Sequence, residues 1–169
     1  MFKHLLSFGL SFGFIFALTL SANAGSVGSY TFPDGPNPKM TPGVLCTNPS
    51  TYRYEERIPY CERDVSSGTK KQIIATYDSQ LDFDIQKLPR MDFKIDHFIP
   101  LSIGGANAVG NLWPQYKSVY AYSDMIESHL STLMVKGRIK QIEAIEAITT
   151  CKLHLEKCQS IEADLAKRL

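Results

Sequence analysis

An acidic side chain and an imidazole stand side by side where an apolar run meets a glycine-rich loop. Asp96 and His97 lie within the segment KIDHFIP, and Gly104 and Gly105 follow shortly after it. A neutral imidazole can accept a proton near neutral pH, and a carboxylate is a good ligand for a hard cation such as Mg²⁺. These residue types could therefore combine a general base with a metal ligand.

The local sequence must first bring the two side chains to one centre. Alternating apolar residues predict a strand from Phe93 to Ile99, and neighbouring side chains on a regular strand point to opposite faces. Asp96 and His97 can serve one centre only if the strand ends or bulges at this pair. Pro100 and the two glycines favour such a change of direction. We therefore expect a strand, a tight loop and then a helix.

The residues around the pair follow the pattern of a known family. Asp96-His97-x-x-Pro-Leu-x-x-Gly-Gly, followed by Asn111-Leu112, resembles the core of the HNH endonucleases, which is a ββα-metal finger. The Trp-Pro-Gln that follows resembles a branch of small exported HNH-like bacterial proteins. The resemblance covers residues 96–115. It implies a ββα-metal finger, and we expect an α+β fold in which this finger is braced by a helical hairpin and stabilised by disulfides.

The resemblance also implies a role for each matching residue. Asp96 would ligate a divalent cation, His97 would act as general base on the attacking water, and Asn111 would hold the loop. Mg²⁺ or Mn²⁺ is the expected ion, and Zn²⁺ is the alternative. The expected reaction is hydrolysis of DNA or RNA phosphodiester bonds with little sequence specificity. The alternative is a catalytically degenerate domain that binds nucleic acid or a protein partner without cleavage.

The chain departs from the family at the remaining metal ligand. Val119, which cannot bind a metal, stands where the family carries a His or Asn on the helix. Asp124, Glu127 and His129 are the nearby replacements. On a helical wheel, His129 falls within the apolar stripe, Asp124 faces away and Glu127 lies at the edge. We expect Glu127 to be the ligand; the competing interpretations are a helix-capping glutamate and a core histidine.

Basic and aromatic residues near the pair are candidate contacts for nucleic acid. Arg53, Arg63 and Lys94 are the expected phosphate-binding residues, and tyrosines alternate with arginines between residues 52 and 60. The competing interpretation is a solvated strand face with glutamates as ion-pair partners. The chain has 18 Lys and Arg against 17 Asp and Glu, so loss of Lys3 would leave no net formal charge. Binding to nucleic acid would therefore require a local basic patch.

The chain divides into three parts. Residues 1–24 carry an early lysine, a long apolar run and an Ala-Asn-Ala site, which predict a signal peptide and a secreted or periplasmic protein. The apolar run is shorter than the roughly 20 residues that span a bilayer, so we expect no membrane anchor after cleavage. Residues 25–49 predict an irregular N-terminal arm, and residues 50–169 the HNH-like domain. We expect a monomer, and no immunity or inhibitor protein can be named.

Periodicity predicts the elements of the last part. Alternation over residues 51–59 predicts a strand, and residues 69–72 resemble a capping box before a short helix. Helical spacing over residues 122–134 and 139–148 predicts a helical hairpin. Residues 151–169 are expected to be helical again.

The four cysteines predict two disulfide bonds, because an even number in an exported protein is typical of oxidised pairs. Three pairings can be formed from four cysteines. Proximity in the sequence favours Cys46–Cys61 and Cys151–Cys158. A four-cysteine zinc site is the competing interpretation, although the chain contains no Cys-x-x-Cys pair.

Overall fold

The computed structural model describes residues 24–169 of the chain. This part is a mixed α+β structure with three two-stranded antiparallel sheets and four α-helices. The predicted signal peptide lies outside the described residues, except for Ala24. Within the described part, no helix is both long and apolar enough to cross a membrane.

A β-hairpin opens the described part, where the sequence predicted an irregular arm over residues 25–49. Strand β1 (Ala24–Val27) pairs antiparallel with β2 (Tyr30–Pro33). Phe32 anchors the hairpin, since its ring stacks on that of Tyr116 with 4.0 Å between the centroids. Each strand has four residues, which is too short for alternation to be recognised in a segment rich in Gly and Pro.

A second hairpin replaces the single strand predicted over residues 51–59. It consists of β3 (Thr51–Arg53) and β4 (Ile58–Tyr60). Tyr54 and Arg57, at the two ends of the connecting turn, have φ angles of 59° and 54°. Such left-handed conformations are uncommon outside glycine, so the alternating pattern gave no sign of the turn.

Both disulfide bonds favoured by proximity are formed. Cys46–Cys61 closes 15 residues and ties the end of β4 to the loop before β3. Cys151–Cys158 closes seven residues in the C-terminal helical region. No cysteine within residues 24–169 remains free, which contradicts the alternative of a four-cysteine zinc site.

Helix α1 (Ser67–Leu81) is longer than the short helix expected near residues 69–72. It begins earlier because Ser66 is the N-cap: its hydroxyl accepts a hydrogen bond from the Thr69 amide at 3.0 Å. The predicted capping box at residues 69–72 therefore lies inside the helix. The buried residues of α1 are Ile73, Ile74 and Tyr77.

The segment that carries the Asp-His pair forms three consecutive elements. These are β5 (Phe93–His97), β6 (Leu112–Tyr116) and α2 (Lys117–Val135). β5 and β6 pair antiparallel, all five residues of β6 are buried, and α2 starts directly after β6. The expected strand, loop and helix are therefore present, and the loop returns through a second strand.

The loop between β5 and β6 is held from within by Asn111. Its side-chain oxygen accepts a hydrogen bond from the Ile99 amide, and its amide donates to the carbonyls of Ile99 and Ala106, each at 2.9 Å. Gly105 is required here because a Cβ atom would lie 1.8 Å from the Ile99 carbonyl oxygen. These contacts close the loop tightly, as expected of Asn111.

Two further helices complete the fold, α3 (Gln141–Leu153) and α4 (Cys158–Arg168). The first gives the predicted helical hairpin with α2, although Ile142 of its expected apolar stripe is 72% exposed. The second confirms that most of residues 151–169 are helical. Helices α2, α3 and α4 pack together around a shared apolar core.

Helix α2 contributes to two separate buried clusters. Val119 belongs to the cluster of β5, β6 and α1, whereas Ile126 and Leu130 belong to the cluster of the C-terminal helices. Because both of its ends are packed, the orientation of α2 against β5 is fixed. The residues between these anchors are held next to the Asp-His pair.

Candidate metal centre

Asp96 and His97 occupy adjacent positions on a regular part of β5. They lie opposite Trp113 and Leu112 in β6, so the pairing continues through both residues without a bulge. Their side chains therefore leave the strand on opposite faces. β5 ends at His97, as expected, but the two side chains meet different neighbours.

Asp96 faces two carboxylates from α2. One oxygen from each of Asp96, Asp124 and Glu127 lies within 4.8 Å of the other two. Asp124 and Glu127 are three positions apart, which makes them neighbours on one helical face. Asp96 is buried, Glu127 is half-buried and Asp124 is exposed, so the cluster is open at one side. Glu127 thus lies where the sequence predicted, and Asp124, which is exposed and off the apolar stripe as expected, also lies at the cluster.

The spacing of these oxygens is suited to a divalent cation. Two oxygens bound to one Mg²⁺ at about 2.1 Å are at most about 4.2 Å apart, and for Ca²⁺ the limit is about 5 Å. The three oxygens lie within 4.8 Å of one another, so binding of either ion would require the carboxylates to move somewhat closer together. Carboxylate oxygens are the ligands that both ions prefer. The acidic cluster is able to hold a metal ion, and its donors do not select a single one.

Lys152 is a member of this site that the sequence did not reveal. Its side chain is completely buried, and its ammonium donates to Glu127 Oε1 at 2.7 Å and to the His97 carbonyl at 2.6 Å. Asp96 Oδ2 lies 3.5 Å from the same nitrogen. A buried ammonium is tolerated only with such partners. α3 therefore inserts a fixed positive charge beside the two innermost carboxylates.

Two more cations approach the cluster from its outer side. Lys94 lies 3.7 Å from Asp96 and 2.6 Å from Asp124. Arg63 lies 3.9 Å from Asp96, and 58% of its side chain is exposed. Three basic side chains thus surround three acidic ones. A bound metal ion must therefore compete with these three basic side chains for the carboxylates.

The pKa values of the two inner carboxylates, Asp96 and Glu127, are shifted in opposite directions. Burial raises the pKa of Asp96, but the charges of Lys152 and Lys94 outweigh it and leave the pKa below its ordinary value. Burial also raises the pKa of Glu127, and Lys152 offsets this only in part, so that pKa stays above its ordinary value. Burial lowers the pKa of Lys152, but its two carboxylate neighbours raise it further. Asp96 is therefore the firmly ionised member of the pair.

The His97 side chain lies on the other face, beside the amide of Asn107. Its Nε2 is 3.0 Å from Asn107 Oδ1, whereas its Nδ1 is buried and has no hydrogen-bond partner among the described residues. Burial lowers the pKa of His97, and the nearby Arg63 lowers it further, against the opposing effects of Asn107 and Asp96. The imidazole is consequently neutral at pH 7, with one nitrogen free to accept a proton.

The other predicted residues fall in different places. Val119 is fully buried in the apolar core, so it cannot be a ligand. His129 Nδ1 lies 3.7 Å from Glu162 of α4, and His129 is not part of the acidic cluster. Arg63 and Lys94 lie at the acidic cluster, whereas the guanidinium of Arg53 stacks on a tyrosine of the β3–β4 hairpin, 3.4 Å from the ring centroid.

We compared the chain with models of protein families, with curated proteins and with solved structures. None of the three comparisons found a match. The function must therefore be argued from the residues of the site and from their geometry.

Proposed function

We propose that this protein is an exported, metal-dependent endonuclease of the HNH type, with little sequence specificity for DNA or RNA. The observation that carries the proposal is the convergence of strand and helix carboxylates in one cluster. The neutral His97, whose Nδ1 has no partner among the described residues, is the next residue of the same strand and faces the other side. In this proposal β5, β6 and α2 form the ββα-metal finger that residues 96–115 resemble. The two disulfides support a secreted or periplasmic location.

Three carboxylates would hold the metal ion. Asp96 and Glu127 form the inner part of the site, and Asp124 adds an exposed oxygen on the side open to solvent. When bound, a divalent cation supplies stabilisation for the negative charge that develops on the phosphate and on the leaving oxygen. An all-oxygen donor set favours Mg²⁺, Mn²⁺ or Ca²⁺ over Zn²⁺, which more often takes nitrogen and sulfur ligands.

His97 would be the general base, accepting a proton from water at Nδ1. Because this side chain is only 2% exposed, water must be admitted by a movement at the surface. Arg63 is suited to that movement: it is mostly exposed and pairs with Asp96 only at 3.9 Å. On exchanging Asp96 for a phosphate oxygen, Arg63 would bind the substrate and open the site.

A second candidate function is binding of nucleic acid or a protein partner without cleavage. Lys152 favours it, because its ammonium already neutralises Asp96 and Glu127 in the manner of a bound cation. Val119, in place of the family's ligand, favours it as well. Arg63 and Lys94 would then serve as phosphate contacts only.

Cleavage assays separate the two functions. The exported protein is incubated with plasmid, single-stranded DNA and RNA in the presence of Mg²⁺, Mn²⁺, Ca²⁺ or Zn²⁺, and then with a chelator. We expect chelator-sensitive cleavage that falls roughly 10²- to 10⁴-fold in His97→Ala. His154→Ala, which changes an exposed histidine, is the matched control.

Two results would count against the nuclease. Binding by fluorescence anisotropy without any chelator-sensitive cleavage would support the second candidate instead. Cleavage by His97→Ala at the wild-type rate would exclude His97 as the base.

A further inference from the structure

A chain of contacts links the first disulfide to the proposed general base. Glu62 follows Cys61, whose sulfur is bonded to Cys46. The Glu62 carbonyl accepts a hydrogen bond from Asn107 Nδ2 at 2.6 Å, and Asn107 Oδ1 lies 3.0 Å from His97 Nε2. Cys61 and Glu62 therefore influence His97 although they lie outside β5, β6 and α2.

The direction of these bonds fixes the proton on the imidazole. A side-chain amide has one donating and one accepting end, and a carbonyl can only accept. Since the Asn107 nitrogen must face the Glu62 carbonyl, its oxygen faces His97. An oxygen acceptor requires the proton to be on Nε2, and a neutral imidazole carries only one ring proton. The reverse amide orientation would place two acceptors against each other.

We propose that Asn107 is the positioning residue for His97, and that the disulfide-anchored Glu62 carbonyl sets its orientation. Asn107 thereby holds His97 in the tautomer with Nε2 protonated and leaves Nδ1 as the basic nitrogen. The claim that Nδ1 takes a proton from water rests on the proposed nuclease function. The tautomer itself does not depend on that function.

The disulfide next to Glu62 is also attached to the loop that carries Asn107. The Cys46 amide donates to the Gly104 carbonyl at 2.8 Å, so the disulfide is attached to the same loop that carries Asn107. The loop is therefore held against the two disulfide-linked segments at two points, the Cys46–Gly104 contact and the Asn107–Glu62 contact.

Long-range ¹⁵N–¹H spectra of histidine-labelled protein report the tautomer directly. We expect His97 to show a protonated Nε2 and an unprotonated Nδ1, with the signal assigned by its loss in His97→Asn. Asn107→Ala should yield a mixture of tautomers. Asn107→Asp should retain protonated Nε2, because a carboxylate also accepts a hydrogen bond, although it cannot donate to the Glu62 carbonyl. Asn48→Ala, on an exposed loop residue, is the matched control.

Kinetics test whether the tautomer matters for the reaction. Asn107→Ala should lower kcat roughly 10- to 100-fold with little change in KM, since the base is misplaced but the substrate contacts are intact. Asn107→Asp should restore part of kcat. Replacement of Cys46 and Cys61 by serine should shift the His97 signal in the same direction as Asn107→Ala.

The outcomes are distinguishable. A protonated Nδ1 in the wild type, or an Asn107→Ala variant with the wild-type tautomer and kcat, would overturn the proposal. A wild-type His97 signal in the double serine variant would overturn the role of the disulfide. If the tautomer changes as expected but the wild type cleaves nothing, the positioning role is supported and the nuclease function is not.

Discussion

Asp96 and His97 are neighbours on one strand, yet opposite kinds of interaction hold their side chains. Asp96 lies in a network of full charges, in which the buried Lys152 lies between it and Glu127. His97 is held by the neutral amide of Asn107 and is itself uncharged. On the side of β5 that carries the Asp96 side chain, here the charged face, stability depends on matching positive charges with negative ones. On the side that carries the His97 side chain, here the neutral face, it depends on the direction of each hydrogen bond.

This difference predicts how much stability is lost when a residue on each face is substituted. In a buried charged network, loss of one partner leaves an uncompensated charge, which costs more than the pair contributed. In a neutral network, the loss is limited to the hydrogen-bonding groups that remain unpaired. Substitutions on the charged face should therefore lower the free energy of unfolding more than those on the neutral face. Added metal ion should restore stability only on the charged face.

The largest effect is expected from Lys152→Met, which removes the ammonium but keeps the volume. The free energy of unfolding should fall by about 3–5 kcal/mol, because Asp96 and Glu127 are left facing each other. Urea unfolding followed by circular dichroism measures it. Lys157→Met, an exposed lysine nearby, should change stability by less than about 0.5 kcal/mol.

A divalent cation should then substitute for the lost charge. Mn²⁺ is expected to stabilise Lys152→Met more than the wild type, since binding to the folded state alone raises stability by mass action. A Lys152→Met protein that unfolds within about 1 kcal/mol of the wild type would break the comparison.

In the uncharged loop between β5 and β6 we expect a smaller effect from Asn111→Ala. The substitution leaves the amide of Ile99 and two loop carbonyls without partners in a buried site, which should cost about 2–4 kcal/mol. Added Mn²⁺ should not restore this loss. Asn37→Ala, whose side chain accepts from the amides of Lys39 and Met40 nearer the surface, should cost about 1 kcal/mol. Equal losses in the two variants would contradict the role of burial.

Local patterns explain which parts of this site were predictable. The strand of Asp96, the loop closed by Asn111 and the pairing of Cys46 with Cys61 all depend on residues close together in sequence. Periodicity and turn residues report on such short-range structure. The tight turns near residues 28 and 55 were missed because each strand beside them has only three or four residues.

The parts of the site that could not be predicted depend on contacts between residues far apart in the sequence. Lys152 meets Asp96 across 56 residues. It continues the buried stripe of Ala144 and Ile148, but that spacing does not show which acidic residues it meets. Asp124 lies off the apolar stripe of α2, as the helical wheel indicated, but the wheel gave no sign that Asp96 and Lys94 of β5 would lie against that exposed face. A pattern within one helix cannot specify what another strand brings to that face.

Metal affinity distinguishes the inner from the outer part of the charged face. Glu127→Gln should weaken Mn²⁺ binding about tenfold or more, equivalent to about 1.4 kcal/mol, because it removes an inner ligand. Asp124→Asn should weaken it only a few-fold, since this exposed group already pairs with Lys94 at 2.6 Å. Isothermal titration calorimetry measures both, with the exposed Glu146→Gln as control. Equal losses for Glu127→Gln and Glu146→Gln would remove Glu127 from the site.

The smallest effect is expected from Lys94→Met, which breaks the pair with the exposed Asp124 and leaves Asp96 with its buried partner Lys152. Exposed ion pairs contribute less than about 1 kcal/mol, so urea unfolding at low salt should change by no more than that. The difference should vanish in 1 M salt, where screening acts within roughly 3 Å. The loss in Lys152→Met should persist in the same salt, because water and ions do not reach its completely buried ammonium. If high salt removed both losses equally, burial would not separate the two lysines, and the charged face would behave as ordinary protein surface.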